Sequence, residues 1–516
     1  MAGGDKVVVI GAGMGGISAA IHLQSLGFSV TVLDMADGPG GKARAVTSDA
    51  GPVDTGPTVL TLRGVADHLF ALCGTRTEDE VDLIPLPRLA RHFWPDGSRL
   101  DLFSDRDQTT DAIAAFAGPR AADAFRRFDR MTAALYDTFE APMMLSARPD
   151  PRAVARAALA APQTWGALLP GMTLDRLLRF YFRDPRLVQL FARYATYVGG
   201  RPAQSPAVLA LVWQAEARGV WAVRQGLHGL AAALARVAEA RGVAFRYGIT
   251  ARRILRQGGH VTGVELAGGA TLPCAACVFA GDPGALRGNL LGDAARDAIP
   301  ASKTPPSLSA WVWAFAAQPK GVDLAHHNVF FTADPAAEFG PIGRGQMPEA
   351  PTLYVCAQDR ELGTPVPTTE RFEIIMNGPA NSAPSPTEEP ACRTRTFPTL
   401  ARMGLTFAPD PDLAALTTPA MLAARYPGSQ GAIYGASPEG ALSAFRRPLA
   451  RTTLPGLYLA GGGAHPGAGV PMAMLSGQHA AKALAEDRIS APTSPPAAMP
   501  GGMSTASLTT GRAPSR

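Results

Sequence analysis

Lysine is almost missing from these 516 residues: only Lys6, Lys42, Lys303, Lys320 and Lys482 stand among 48 basic residues. The arginines that replace it are scattered, and against 43 acidic residues they leave a net charge of +5 with no basic stripe, so nucleic acid is not an expected partner. Cysteine is scarce as well. Cys73, Cys274, Cys277, Cys356 and Cys392 form an odd, sparse set, which excludes a disulfide framework and points to the reducing cytoplasm. Cys274-x-x-Cys277 has no second pair beside it and His326-His327 reads as part of a loop, so no metal is expected. Charged residues are few, at 18%, while 47% are hydrophobic, a balance that excludes disorder and supplies a core for two or three domains.

A clean apolar run is also lacking. The uncharged stretch 157–174 is broken by Pro162, Gly166, Pro170 and Gly171, and 452–481 carries seven glycines and three prolines, so neither suits a spanning helix. From Lys6 the chain enters Val7-Val8-Val9-Ile10 with no basic region and cleavage site before it, and no signal peptide is expected.

What is present begins with glycine. Residues 6–34 read as strand, glycine turn, helix and strand, the opening of a βαβ unit. Gly11-Ala12-Gly13-Met14-Gly15-Gly16 fits G-x-G-x-x-G in the context the motif requires. Gly11 permits the turn, Gly13 lets a pyrophosphate approach the backbone, Gly16 allows close helix–strand packing, and the helix N-terminus offers free N–H groups. Asp34 ends the second strand, where its carboxylate suits a ribose hydroxyl and repels a 2′-phosphate. A second run of small residues, Gly38-Pro39-Gly40-Gly41-Lys42-Ala43-Arg44, is followed by Asp54-Thr55-Gly56-Pro57-Thr58. It lets backbone lie along a long dinucleotide and is expected to bring Lys42 and Arg44 to its phosphates. The third element is far away in sequence: Leu457-Tyr458-Leu459-Ala460-Gly461-Gly462-Gly463, then His465-Pro466-Gly467-Ala468-Gly469-Val470-Pro471-Met472 and an alanine-rich helix. A helix N-terminus there would stabilise negative charge on a reduced ring, so the two glycine-rich ends are expected to bracket one FAD.

Between these ends the pattern changes. Asp96-Gly97 turns a hairpin within 92–103, and the chain is then mostly helical to about 200. Residues 205–242 read as helices interrupted at Gly219 and Gly226, and strands follow over 243–247, 251–255, 261–266 and 277–280. Over 307–317 a period of two places Ser309, Trp311, Trp313 and Phe315 on one face of a strand. Further strands are expected at 354–357 and 372–376, an exposed loop at 377–389, and a disordered tail from 491 to 516.

Three blocks (11–58; Gly219-Val220-Trp221 through Gly226-Leu227-His228-Gly229-Leu230; and 461–472) resemble the bacterial phytoene-type carotenoid desaturases, within the amine-oxidase-like FAD superfamily. The resemblance covers about residues 5–485. Ile433-Tyr434-Gly435 and Phe445-Arg446-Arg447-Pro448 look most like the purple-bacterial enzymes that place a 3,4 double bond in 1-hydroxy or methoxy carotenoids.

The resemblance implies an α/β fold: a Rossmann-type FAD-binding domain (1–84, 205–300, 441–490) interleaved with an α+β substrate and membrane-associating domain (85–204, 301–440). It implies an FAD site made of Gly11, Gly13, Gly15, Gly16, Asp34, Gly41, Lys42, Arg44, Pro57, Thr58, Ala251, Gly461, Gly462, Val470, Pro471 and Met472. It implies an acyclic carotenoid as substrate, an apolar tunnel with Trp311, Trp313 and Phe315 as candidate wall, and a peripheral place on the cytoplasmic side of the inner membrane. Residues 171–201, with six arginines and Leu177, Leu178, Phe180, Tyr181 and Phe182, are candidates for an interfacial helix. Asp184 and His465 are the candidate acid/base groups. Oxygen and a quinone both stay open as electron acceptor, since no second nucleotide fingerprint accompanies the first. A carotene desaturase acting on phytoene, a flavin amine oxidase and a prenyl-binding escort protein of the Rab GDP-dissociation-inhibitor type are the alternatives.

Overall fold

The computed structural model describes residues 5–380, 383, 386–440 and 443–490. The tail expected from 491 lies outside the described residues, as does part of the loop expected at 377–389.

Continuous apolar strands suit a sheet covered on both faces. Lys6–Ile10 is the centre of such a sheet, five parallel strands in the order Leu457–Leu459, Ala276–Phe279, Lys6–Ile10, Ser29–Leu33, Ala244–Arg246. One face carries the helices Met14–Ser25, Gly226–Ala240 and Val470–Ser490, whose side chains share a core with Val7, Val9 and Val30. The first and last of these helices touch through small residues. A Cβ on Gly477 would come 2.4 Å from Gly15 O, and Ser18 Oγ donates to Met474 O at 2.6 Å. Val8, Leu33, Cys277 and Phe279 point to the other face, against the antiparallel sheet Ala251–Gln257, His260–Leu266, Thr271–Pro273.

The second body is a mixed, eight-stranded sheet in the order Leu405–Ala408, Ser309–Gly321, Glu370–Gly378, Leu353–Ala357, His327–Phe330, Arg88–Phe93, Arg99–Phe103, with Leu416–Thr417 also paired to Ser309–Gly321. The 88–103 hairpin turns at Trp94–Ser98, and its first strand joins the sheet parallel to His327–Phe330. Helices between 106 and 217 pack over this end around Phe125, Phe128, Phe191 and Trp213. A strand at Trp221–Val223, paired with Leu83–Pro85, was not expected between Gly219 and Gly226. At three residues it is too short to carry a periodicity.

Successive residues of a strand face opposite sides. Phe330, Leu353, Val355, Phe372, Ile374 and Met376 share one core cluster, while Val329, Phe331, Thr352, Tyr354, Ile375 and Asn377 line a cavity on the other side. The sheet is therefore a partition between a packed core and an open volume.

Candidate active site

The three glycine-rich segments meet around the N-terminus of the helix Met14–Ser25. Gly11 has φ +107, a conformation glycine alone adopts freely, and a Cβ on Gly16 would stand 1.8 Å from Gly11 O. Gly13 pairs with Gly40, whose N–H donates to Ala12 O at 2.8 Å. A Cβ on Gly15 would lie 2.6 Å from Gly461 N. Gly461 in turn donates to Ser476 Oγ at 2.7 Å, while Gly462 O accepts from Arg447 at 2.7 Å. Around Gly13 the space is different: the nearest atoms to an added Cβ are Gly41 Cα at 3.8 Å and Gly40 O at 3.9 Å. This open strip of backbone beside free first-turn N–H groups fits a dinucleotide pyrophosphate.

Asp34 bonds the turn itself, accepting from Ala12 N–H at 2.6 Å and Ala36 N–H at 2.8 Å. Ile249 N–H donates to Asp34 O, which brings the segment leading to Ala251 alongside. Asp54, not singled out for a role of its own, accepts from Leu227 N–H and, at 3.4 Å, from His228 N–H at the start of the helix Gly226–Ala240. Burial pushes its carboxyl up to about 6.

Lys42 and Arg44 extend from the second glycine loop. Lys42 Nζ donates to Ile433 O at 2.8 Å and Ala432 O at 3.4 Å, and Arg44 donates to Thr417 Oγ1 at 2.8 Å. Both cations tie the glycine loop to the 417–433 segment. Tyr426 Oη reinforces the tie with a bond to Gly41 O at 3.0 Å.

Gly56, Pro57, Thr58, Gly469 and Val470, from the expected cofactor set and its immediate surroundings, line one cavity of about 790 Å³ together with Phe331, Glu338, Tyr354, Ile375 and Tyr434. Pro471 and Met472 form the first turn of the helix that begins at Val470. The same cavity reaches Asp175, Arg179 and Arg186 on the outer helices.

Trp311, Trp313 and Phe315 do not line it. Trp311 pairs with Met376 and Trp313 with Ile374, so they stand on the packed side of the sheet. There Trp313 meets Phe397 edge-on at 4.9 Å and Phe315 meets Phe407 at 5.1 Å. The period of two located a strand, but Ser309 to Phe315 are buried on both faces, so no polar contrast marked the side that is open.

Neither acid/base candidate reaches the cavity. Asp184 caps the helix Pro185–Ala192, accepting from Arg186 N–H at 2.8 Å, and pairs with the Arg186 guanidinium at 2.8 Å. His465 Nε2 lies 2.8 Å from Ser146 O and its ring stacks on His479, with burial holding its pKa down. Four of the six arginines expected at an interface are in ion pairs, Arg193 with Glu216, Arg186 with Asp184, Arg201 with Glu439 and Arg179 with Asp175, and of these Arg193 is buried. Cys274 and Cys277 are buried, and burial raises both thiols. His326, His327 and Cys356 gather in the interior, with both imidazole Nδ1 atoms already bonded, to Arg360 O and Tyr354 Oη.

Glu338 was not anticipated. It lies in the cavity wall with 2% exposure, accepts from Asn377 Nδ2 at 3.0 Å, and is pushed up to about 7 by burial. Glu373, on the same strand as Ile375, accepts from Gly56 N–H at 2.6 Å, and burial holds its carboxyl well above the usual range. Tyr354, bonded to Thr58 Oγ1 at 2.8 Å, and Tyr434 are further polar residues of the cavity wall. No local motif marks these residues, which become neighbours only when distant strands pair.

A glycine cradle together with a mostly apolar cavity lined by Gly56–Thr58 and Gly469–Val470 suits a flavin-dependent oxidoreductase, and the family model for flavin-containing amine oxidoreductases matches residues 14–337. The chain belongs to that family, and FAD is its cofactor. Solved structures of the same fold include putrescine oxidase bound to putrescine (15% identity, TM-score 0.58, 93% of this chain and 99% of that one) and a fatty acid isomerase from P. acnes (12%, TM-score 0.57, 94% and 99%).

Within the family the chain is a member of the purple-bacterial carotenoid desaturases. It is 66% identical over 486 residues to the hydroxyneurosporene desaturase of Rhodobacter capsulatus, covering 94% of this chain and 98% of the relative. It is 59% identical to that of Cereibacter sphaeroides, covering 93% and 98%.

Proposed function

We propose that this protein is an FAD-dependent desaturase that introduces a C3–C4 double bond into an acyclic carotenoid with a 1-hydroxy or 1-methoxy end. The observation that carries it is the 790 Å³ cavity, which joins the flavin-side segments Gly56–Thr58 and Gly469–Val470 to the outer helix at Arg179. A long hydrocarbon has few polar handles and is recognised by shape. The names of the relatives support the substrate class.

The cofactor is held, in this proposal, by Gly11, Gly13, Gly15, Gly16, Asp34 and Gly41 at its nucleotide end, with Ala251 beside the adenosine, and by Gly56–Thr58, Gly461, Gly462 and the turn Val470–Met472 towards its ring. When bound, FAD supplies an acceptor for the two electrons of a hydride. The chain's own contribution is positional: Val329, Phe331 and Ile375 exclude water and hold the polyene, which delocalises the positive charge left by hydride loss. Loss of a proton from the adjoining carbon, taken up finally by solvent, would then close the double bond. The sequence segments 1–84, 205–300 and 441–490 serve the cofactor, and 85–204 and 301–440 serve the substrate.

Substrate enters from a membrane surface. No helix among the described residues is long and apolar enough to cross a bilayer. Leu159, Trp165, Leu169 and Phe180 are exposed, Phe180 by 82%, next to the cavity-lining Arg179. Apolar side chains set among Arg176, Arg179 and Arg183 suit peripheral contact with the anionic cytoplasmic leaflet, with oxygen or a membrane quinone taking up the electrons.

The test is anaerobic incubation of the FAD-loaded enzyme in liposomes with 1-hydroxyneurosporene, phytoene or a simple amine. Flavin bleaching with a red-shifted product is expected for the hydroxylated substrate. Turnover of phytoene alone overturns the substrate, and bleaching by the amine alone overturns the chemistry.

A further inference from the structure

For a bond formed between C3 and C4, an oxygen on C1 sits only about 4–5 Å from the reacting carbons, three or four bonds away. Whatever recognises that oxygen must therefore stand at the flavin end of the cavity, beside Gly56–Thr58. Three side chains there form a line. His327 Nδ1 is 2.6 Å from Tyr354 Oη, and Tyr354 O–H donates to Thr58 Oγ1 at 2.8 Å. Thr58 and Tyr354 both line the cavity, while His327 lies behind the wall with 3% exposure.

The line has a direction. His327 Nε2 is buried without a partner among the described residues. An N–H left there would forfeit a full hydrogen bond, whereas a bare lone pair costs less. The proton therefore sits on Nδ1 and is donated to Tyr354, which commits the phenol proton to Thr58. Thr58 Oγ1 is thereby occupied as an acceptor, and among the described residues its own hydroxyl proton has no acceptor. It is a donor facing a cavity.

We infer, building on the desaturation proposed above, that Thr58, polarised by Tyr354 and His327, donates a hydrogen bond to the C1 oxygen of the substrate and sets the preference for oxygenated over hydrocarbon ends. A donor explains why hydroxyl and methoxy ends are both admitted, since an ether oxygen can only accept. Thr58 and Tyr354 are positioning residues here; they hold the chain end and take no part in bond breaking.

The experiment compares 1-hydroxyneurosporene, 1-methoxyneurosporene and neurosporene as substrates or competing ligands of the liposome-bound holoenzyme. The wild type is expected to favour both oxygenated ends. Thr58→Val, which keeps the shape and removes the donor, is expected to reduce that preference roughly tenfold, read as the ratio of oxygenated to hydrocarbon ligand bound by the flavin-loaded molecules. Tyr354→Phe leaves Thr58 free to turn, so the methoxy end should lose more than the hydroxyl end, which can pair in either sense. A purely structural tyrosine would lower all three together. An unchanged preference in Thr58→Val, or equal loss on all three ligands, overturns the inference. A wild type that desaturates carotenoids with no preference for oxygen overturns it and leaves the desaturase standing. A wild type that desaturates none of them removes both.

Discussion

The two sheets solve opposite problems. The parallel sheet presents backbone to its ligand: at Gly13, Gly15, Gly40 and Gly461 side chains are missing so that main chain from three segments can close together. The mixed sheet presents side chains, and its cavity is shaped by residues from strands and helices hundreds of positions apart, from Thr58 to Val470. A charged, rigid dinucleotide is met by fixed N–H groups, whereas a hydrocarbon is met by packed apolar surface. The first kind of site is written as a short local string; the second is spread over the fold.

The sharpest way to break this contrast is at the glycines. Gly15→Val would drive a side chain into Gly461 and should cost the protein its folded flavin site altogether, seen as loss of bound FAD and a collapse in melting temperature. Gly13→Val meets no atom nearer than 3.8 Å at its Cβ, so the apoprotein should melt near the wild-type temperature while FAD retention falls at least a hundredfold. Equal destabilisation by both would erase the distinction between packing and ligand glycines.

On the second sheet the two faces can be separated. Trp313→Ala should destabilise the fold by about 3–5 kcal/mol while leaving the KM for carotenoid unchanged. Ile375→Trp should raise KM with little change in melting, because it fills the cavity and not the core. The reverse pattern would put the cavity on the wrong side of the sheet.

Glu338 gives the comparison a pH dependence. Its carboxyl is pushed up from 4.5 to about 7, so the native state keeps a proton that the unfolded chain has already released. Its contribution to stability is therefore full below about pH 4.5, falls as pH rises to about 7, and is level beyond, with a total drop of order 3 kcal/mol. Glu338→Gln should remove that drop. A hydrocarbon in the cavity makes the charged form costlier still, so KM should rise above pH 7 in the wild type and stay flat in the variant.

The smallest effect is expected at Asp184. Asp184→Ala removes a helix cap worth about 1 kcal/mol and should lower the melting temperature slightly with kcat intact. A large loss of kcat at constant stability would restore it as an acid/base group.

How far the sequence could be read follows the same division. The βαβ opening and the meeting of the distant glycines at 461–469 with it were legible because backbone requirements act on residue type position by position, whereas the bonds of Asp34 to the N–H groups of Ala12 and Ala36 were not foreseen. Asp184 was ambiguous, since an aspartate before proline suits a cap and a proton carrier alike, and only its bond to Arg186 N–H separates them. Lys42 and Arg44 were read as cations for the cofactor phosphates, whereas their protein partners, the carbonyls at 432–433 for Lys42 and the Thr417 hydroxyl for Arg44, lie too far along the chain for the loop sequence to show. Glu338, Tyr354 and His327 carry no local mark. Their meaning comes from the pairing of His327–Phe330 with Leu353–Ala357 and from the helix Pro335–Gly343 laid over the cavity.

The packing of the first helix against the last has a consequence in time. Ser18 and Gly15 make their contacts with Met474 and Gly477, and the edge strand Leu457–Leu459 completes the parallel sheet. A nascent chain still threaded through the ribosome at residue 450 thus has its fingerprint turn but neither the helix that clamps it nor Gly461. Flavin retention is therefore expected to require nearly the whole polypeptide, through Ser476.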